Sequence, residues 1–501
     1  MASPNVLIIM ADQLAPHFTG TYGHPLVKTP NIDALAERGV RFDNAYCHSP
    51  LCAPARFSMM SGQAVSKIDA WDNASEFSAA VPTLAHYMKL SGYRTALSGK
   101  MHFVGPDQLH GFDQRLTTDI YPADFAWTPN WEQADERIGK WYHNMDVLRD
   151  AGQAVTTYQI DYDEEVGFAA RRHLLNVARD TDDRPFFLIA SFIHPHDPYV
   201  ARPEWWGLYD DDDIDLPDML SPAEMDPHTK RVHHGIEADA VGFTPDQARN
   251  ARHGYYANTS YFDDWVGSLV RTLDETGQLD NTVVMVVSDH GDMLGDRGVW
   301  FKMSFHERSA RVPLVMAGPG IHQGSIDAAC SHLDLLPTLL DIATAGGNWP
   351  ELGADLDGRS LWDGASGGGA QPDETFGEYC GEMTSHPMFM IRRGKFKYIH
   401  CDTDPPLLFD MSADPLERAN LADEPSHSEA ARSFAAEVQQ RWDSESIRSR
   451  VVDSQRARRT LHAAMSEPPI NSWDYQPVSD VANMYVRNHM DWAEAGSRSR
   501  L

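Results

Sequence analysis

The chain has 501 residues, enough for a large core and a smaller second domain, and its 42% hydrophobic and 23% charged residues are those of a globular protein. A net charge of −31 leaves no basic stripe to neutralise phosphates, which excludes nucleic acid as a partner. No apolar run approaches the roughly 18 residues of a membrane helix, and the run ending at Met10 lacks the basic lead and cleavage site of a secretory signal.

From the N terminus, Asn5–Met10 is a continuous apolar run, the pattern of a parallel strand buried on both faces. A cap residue and proline at Thr29-Pro30, with Gly39 past the end, predict a helix. Val81–Leu90, closed by Gly92, repeats that grammar. Tyr93–Ser98, Pro185–Ile193 and Thr282–Ser288 read as further strands, and a long helix starts at Thr244-Pro245 and ends before Gly277. Strands alternating with helices predict an α/β domain over 1–363, a large, mainly parallel sheet with helices on both faces. The glycine-rich stretch Gly364–Ala370 reads as a linker. Met388–Arg392 and Lys395–His400 then form a hairpin, and a helix follows around Ser428–Arg441, giving a small α+β subdomain over 372–448. The remainder, 449–501, is a polar tail that carries Trp473, Tyr475, Tyr485 and Trp492. Such a tail is expected to pack on the chain's own core or on a neighbouring subunit. Five scattered cysteines give no disulfide framework and suit a reducing cytoplasm.

The chemistry-bearing residues sit where strands end. Asp12 follows the first strand, Lys100 and His102 the strand over 93–98, His194 and His196 the strand over 185–193, and Asp289-His290 the strand over 282–288. Ligands of open α/β sheets bind beyond the carboxyl ends of strands, so these residues are expected on one rim. A single polar residue there is usually a turn former; four such strand ends together point to a site. Asp12, Asp289 and His290 make a plausible metal set: carboxylate oxygens suit Ca²⁺ or Mg²⁺, and the imidazole leaves room for Mn²⁺.

Leu51-Cys52-Ala53-Pro54-Ala55-Arg56 contains Cys-x-Pro-x-Arg. Lys100-Met-His102, His194-Pro-His-Asp-Pro-Tyr199, Asp289-His-Gly-Asp-Met-Leu-Gly295 and Lys302 follow in order. This series resembles the sulfatases, members of the alkaline phosphatase superfamily. The resemblance implies a sulfatase-like fold and a cysteine, Cys52, that a formylglycine-generating enzyme oxidises to an aldehyde which hydrates to a diol. It further implies one divalent ion, calcium first and manganese or magnesium as alternatives, held by Asp12, Asp289, His290 and the modified Cys52. Lys100, Lys302 and His196 would then be fixed positive donors, His102 the proton acceptor that expels sulfate, and Arg56 the brace of the nucleophile against the metal. Many sulfatases have adjacent aspartates where this chain has Asp12-Gln13, and Asp-Asn where it has Asp289-His290, so the shell is poorer in carboxylates and Gln13 can be only a neutral ligand.

The segment Ile120–Trp131, with Trp141-Tyr142, is rich in aromatics, and aromatic faces hold quaternary ammonium groups. Trp127, Trp131 and Trp141 are candidates for such a cage, with Glu382 as its compensating charge and Asn73 as a contact to the ester. Pro106–Phe112, Thr117–Phe125, Met390–Gly394, Trp473–Pro477 and Tyr485–Met490 resemble the choline-sulfatase branch of that family. This implies a choline sulfate substrate and a homodimer or homotetramer assembled through the tail. Two other readings remain open at this level: hydrolysis of phosphonate monoesters or phosphodiesters, and an inactive solute-binding homologue.

Overall fold

The computed structural model describes residues 3–134, 143–369, 371–469 and 472–478, with residues 494, 497 and 498. Its main sheet is built from β1 (Asn5–Asp12), β2 (Val40–Phe42), β3 (Arg94–Gly99), β4 (Gln114–Arg115), β5 (Phe186–Pro195), β6 (Thr282–Ser288), β7 (Leu314–Ala317) and β8 (Gly324–Ile326). The order across the sheet is β8-β2-β7-β6-β1-β5-β3-β4. The pairs β1·β5, β1·β6, β3·β5 and β3·β4 are parallel, and only β7 runs antiparallel to both its neighbours. Every residue of β5 and of β6 is buried, which is why both read as unbroken apolar runs.

The helices that matter to the site are α1 (Pro30–Arg38), α2 (Cys52–Ser61), α3 (Leu84–Leu90), α4 (Tyr158–Arg179) and α5 (Pro245–Glu275). Helix α5 starts where its sequence says: Thr244 and Gln247 exchange side-chain-to-backbone bonds ahead of Pro245, a cap worth ~1 kcal/mol. Helix α3 starts three residues later than expected, because Thr83 forms the reciprocal cap with His86 and leaves Val81-Pro82 outside. Strand β5 runs on through His194 and Pro195, so only His196 of that histidine pair lies beyond a strand end.

A second sheet, β9 (Glu374–Tyr379), β10 (Met388–Arg393), β11 (Phe396–Cys401) and β12 (Leu407–Asp410), is antiparallel throughout. The sequence showed only its central hairpin. Helix α6 (Ser428–Arg441) packs on it through Phe434 stacked on Tyr398 at 5.6 Å, and Trp442, just past the helix, stacks on Phe389 at 4.4 Å. Lys397, fully buried, ties this sheet to the main body by lying 2.8 Å from Glu307 and 2.7 Å from Glu417. The stretch read as the start of a polar tail is instead helix α7 (Ser444–Met465). Its buried face is Ile447, Val451, Val452, Gln455 and Arg458, and two polar members hid that face from a search for apolar periodicity. The glycine-rich stretch begins within a helical turn, Trp362–Ala365, whose last residue Ala365 is buried, and residues 367–369 are exposed. Among the described residues no helix is long and apolar enough to cross a membrane, and all five cysteines are free and buried.

Gly99 ends β3 and aims Lys100 at the site. Its φ is +104°, and a methyl group there would lie 1.9 Å from the carbonyl oxygen of Ser191, the same oxygen that accepts the Lys100 N–H at 3.0 Å. Gly99→Ala is therefore expected to lower the melting temperature, the strained backbone alone costing ~1–3 kcal/mol. It is also expected to reduce turnover at least tenfold by displacing Lys100; calorimetry and a steady-state assay check the two effects separately.

Candidate active site

The ends of β1, β6, β3 and β5 deliver Asp12, Asp289, Lys100 and His196 to one rim, and helix α2 brings Cys52 to it with its first residue. Asp12, Cys52, Asp289 and His290 each offer one ligand atom, all within 4.8 Å of one another. Cys52 Sγ, which stands where an oxygen of the modified side chain would be, lies 3.2 Å from His290 Nε2. That nitrogen is 3.6 Å from Asp289 Oδ2 and 4.0 Å from Asp12 Oδ1. Asp12 reaches its place through an irregularity in the strand: the register with β5 shifts between Met10 and Asp12.

Arg56, one helical turn after Cys52, binds both carboxylates. Its Nε donates to Asp289 Oδ2 at 2.9 Å and its Nη2 to Asp12 Oδ2 at 3.0 Å, while Nη1 donates to the Lys100 carbonyl at 2.7 Å and to Ser191 Oγ at 2.9 Å. Asp12 Oδ1, by contrast, is buried and has no hydrogen-bond donor. An orphaned carboxylate oxygen beside a second carboxylate and an imidazole fits a divalent cation, because burying such an atom unpaired is otherwise costly. The four residues fit the ion; calcium, magnesium and manganese are all compatible with them.

Gln13 behaves differently from the expectation of a neutral ligand. Its side chain is spent elsewhere, Oε1 accepting from Lys302 Nζ at 2.6 Å and Nε2 donating to Asp292 Oδ2 at 2.7 Å, and only its backbone N–H reaches Asp289, at 3.0 Å. Lys302 Nζ also donates to His196 Nε2 at 3.0 Å, while His196 Nδ1 donates to the Asp197 carbonyl at 2.7 Å. These contacts fix the His196 ring between Lys302 and the Asp197 carbonyl. Lys100 Nζ contacts Asp12 Oδ2 and lies 4.4 Å from the centre of the Tyr121 ring. Both nitrogens of His102 lack hydrogen-bond partners among the described residues, and its ring is flanked by Tyr121 at 5.2 Å and Trp127 at 5.6 Å.

Electrostatics follow from this crowding. Burial opposes ionisation of the Cys52 thiol, but Lys100, Lys302 and His290 outweigh it and hold the group well below the ordinary thiol range. Burial likewise opposes ionisation of Asp12; Lys100, His196 and Arg56 overcome that and bring its carboxyl to about 2. A negative group at position 52 is thus favoured by the fixed charges around it.

A cavity of about 340 Å³ opens over Cys52, lined by Asn73, Tyr121, Trp127, His143, Asp197 and Lys302 among others. Asn73 Oδ1 accepts the N–H of Ala53 at 3.0 Å, which fixes it beside the first turn of α2. Trp131 and Glu382 line a neighbouring cavity of about 320 Å³ instead. Trp131 is pinned there by Nε1 donating to the Gly381 carbonyl at 2.7 Å and by its own N–H bonded to Gln455 at 2.8 Å. Glu382 is buried, its Oε1 has no hydrogen-bond partner, and burial first, with Asp72 and Cys52, pushes its carboxyl well above the usual range. The five expected substrate contacts are therefore divided: Asn73 and Trp127 with Cys52, Trp131 and Glu382 next door, and Trp141 outside the described residues. Tyr121, His143 and Asp197 were not singled out by sequence. All three lie in segments whose composition drew attention, but which loop residue turns inward is decided by backbone geometry that composition does not encode.

Residues 4–345 match the family model described as Sulfatase, residues 295–444 that of the N-sulphoglucosamine sulphohydrolase C terminus, and residues 449–501 that of the choline sulfatase enzyme C terminus. The chain is 45% identical to a Choline-sulfatase of Rhizobium meliloti (strain 1021), over 97% of this chain and 96% of that one. It is 28% identical to a multifunctional alkaline phosphatase superfamily protein of Trinickia caryophylli, over 87% of this chain and 94% of the other. The solved phosphonate monoester hydrolase of Agrobacterium radiobacter shares the fold, with a TM-score of 0.69 at 23% identity, over 89% of this chain and 96% of that one.

Replacing Arg56 by Met leaves Asp12 and Asp289 facing each other in a dry site, and removing one partner from a buried pair costs about 3–5 kcal/mol. The metal-free variant is expected to melt several degrees below the metal-free parent. Arg56→Lys should recover only part of that loss, because an ammonium cannot span two carboxylates as the guanidinium fork does. Equal melting temperatures for Arg56→Met and the parent would refute the bridging role.

Proposed function

The chain belongs to the sulfatase family, and on that premise we propose that it is a sulfuric ester hydrolase that cleaves choline sulfate to choline and sulfate. One observation carries this reading: Cys52, ringed by Lys100, Lys302, His290 and Arg56, forms the floor of a cavity whose walls include the aromatic faces of Tyr121 and Trp127. A sulfate monoester of a quaternary alcohol has the matching halves, an anion for the floor and a cation for the walls.

Sulfatases generally use a formylglycine and a divalent metal. A formylglycine derived from Cys52 would supply a diol, one hydroxyl as nucleophile toward sulfur and a second whose proton could be removed to release sulfate. The metal, calcium in this reading, would be held by Asp12, Asp289, His290 and the modified Cys52, and when bound would supply Lewis acidity for activating a hydroxyl and drawing charge from the sulfuryl oxygens. The chain's own residues do the rest. Arg56 bridges Asp12 and Asp289 through its Nη2 and Nε. Lys100 and Lys302 present fixed positive charge to the sulfuryl group, and such preorganised charge is commonly the largest catalytic contribution. His196, holding Lys302 by its Nε2, orients that lysine. His102, with both nitrogens uncommitted, takes the proton whose removal releases sulfate. Because Cys52 is 1% exposed, its oxidation by a formylglycine-generating enzyme would precede folding.

For the cation, Trp127 offers a ring face in the Cys52 cavity, and Glu382 lies close enough for its charge to be felt at Cys52. An unpaired buried carboxyl is neutral until a cation arrives and ionises as it binds. The KM for choline sulfate should therefore fall as pH rises toward the elevated pKa of Glu382, and the trend should flatten in Glu382→Gln. On fully modified protein, Glu382→Gln is expected to lower kcat/KM for choline sulfate more than tenfold while leaving an uncharged alkyl sulfate nearly unaffected. Equal losses on the two substrates would remove the cation-holding role. Cys52→Ala should abolish turnover without changing the melting profile, since one small buried side chain replaces another; a tenth of the parent activity remaining would sink the nucleophile. Turnover of a phosphonate monoester faster than of choline sulfate by the parent protein would overturn the substrate assignment.

A further inference from the structure

The last part of the chain returns to the site through residues that touch none of the reacting groups. Residues 115–127 run as a loop from strand β4 to the cavity and carry three things the site depends on. Asp119 Oδ2 accepts the backbone N–H groups of Met101 at 3.0 Å and His102 at 2.9 Å. Since His102 has φ +58°, where a side chain is strained, those two bonds hold its ring in place. Tyr121 covers Lys100, and Trp127 meets His102 edge-on. Arg115 in turn holds Asp119 at 2.6 Å.

Three successive residues near the C terminus meet this loop at three points. Trp473 packs edge-on against Phe125 at 5.3 Å. Asp474 Oδ1 accepts the Ala123 N–H at 2.9 Å, and the Ala123 carbonyl accepts the N–H of Gly105 at 2.9 Å. Tyr475 lies over the Arg115 guanidinium at 5.4 Å, with Phe103 on that same group at 5.5 Å, and its hydroxyl donates to the Arg115 carbonyl at 3.4 Å. Ser472 Oγ bonds both Oδ2 and the backbone N–H of Asp474, at 2.6 and 3.0 Å, which fixes the aspartate for its contact. A tail that merely covered apolar surface would not need a carboxylate matched to one backbone N–H and a ring matched to one buried arginine.

We propose that Trp473-Asp474-Tyr475 is a clamp that positions His102, Tyr121 and Trp127 through the loop 115–127, so that turnover depends on residues remote from the chemistry. Asp474 and Tyr475 are positioning residues. The clamp rests on the reading of His102 and the aromatic wall given above, but its physical half, the order of the loop, does not.

The test uses full-length, modified, metal-loaded protein carrying Asp474→Ala with Tyr475→Leu. Backbone amides of Met101, His102, Ile120, Tyr121 and Ala123 should exchange with solvent at least tenfold faster than in the parent, while amides of β6 keep their rates. The kcat/KM for choline sulfate should fall at least tenfold, and Tyr475→Phe, which keeps the ring over Arg115, should stay within twofold of the parent. Unchanged exchange at Met101 and His102 overturns the clamp. Equal acceleration in β6 overturns it as well, since that reports general loosening, and so does faster loop exchange with unaltered turnover. A parent protein that turns over no sulfate ester would defeat the functional reading, and the exchange measurement would still judge the clamp.

Discussion

The Arg56 guanidinium is the contact on which the rest of the site depends. It bonds a residue at the end of β1, one just beyond β6, the backbone that follows β3 and a serine of β5, so four strands of one sheet converge on a single side chain. Asp12 and Asp289 are both fully buried, and two such carboxylates would repel each other without it. With Arg56 between them each keeps an oxygen for other work. Asp12 Oδ1 stays unbonded, which is what a metal-binding carboxylate needs and what a structural salt bridge would not leave behind. The cost of burying these charges is set against a core in which β1, β5 and β6 contribute almost nothing to the surface.

The same core absorbs backbone strain at the rim. Gln13, His102, Phe301 and Met303 all have positive φ, and none is glycine. Each such residue costs of order 1–3 kcal/mol and persists only where its surroundings over-determine it. Gln13 is over-determined by Asp289, Lys302 and Asp292, and Lys302 itself is flanked by the two strained residues Phe301 and Met303. These positions aim side chains in directions that ordinary loop geometry would not reach. Charge fixed in this way needs no reorganisation as a reaction proceeds, which is the physical content of preorganised electrostatics.

How much of this was legible in the sequence follows from the range of the interactions. The apolar runs of β1, β5 and β6, the Thr244-Pro245 start of α5 and the Cys-x-Pro-x-Arg turn are local signals, and the structure places them within a residue or two of expectation. Asp12, Asp289 and His290 were found because residues at strand ends share a rim, a rule that needs no knowledge of side-chain direction, whereas Cys52 was found only through the resemblance of its motif to the sulfatases. What escaped were effects that depend on two distant segments meeting. Gln13, standing where many sulfatases carry a second aspartate, was granted at most the part of a neutral ligand, but Lys302, 289 positions away, takes its side-chain oxygen. Trp131 was grouped with Trp127 by proximity in sequence, and a bond to Gly381 turns it into another cavity. Helix α7 was missed because part of its buried face is polar, and the partners that make those residues buryable, Asp72 and the backbone of Trp131, lie more than 300 positions earlier.

Those last contacts separate two tasks that the sheet rim alone would have to combine. Arg458 of α7 makes a two-pronged bond to Asp72, at 2.6 and 2.7 Å, next to the Asn73 that lines the Cys52 cavity. Gln455 and Arg459 hold the backbone of Trp131 and Pro129, and the stretch ending in Glu382 follows directly from strand β9. The charged floor is therefore built by strand ends of the main sheet, while the walls that would choose a substrate are braced from the second sheet and the helix after it. The C-terminal elements therefore reach both halves of the site through one loop: Tyr121 and Trp127 stand in the cavity wall, and Asp119 of the same loop holds the backbone of His102.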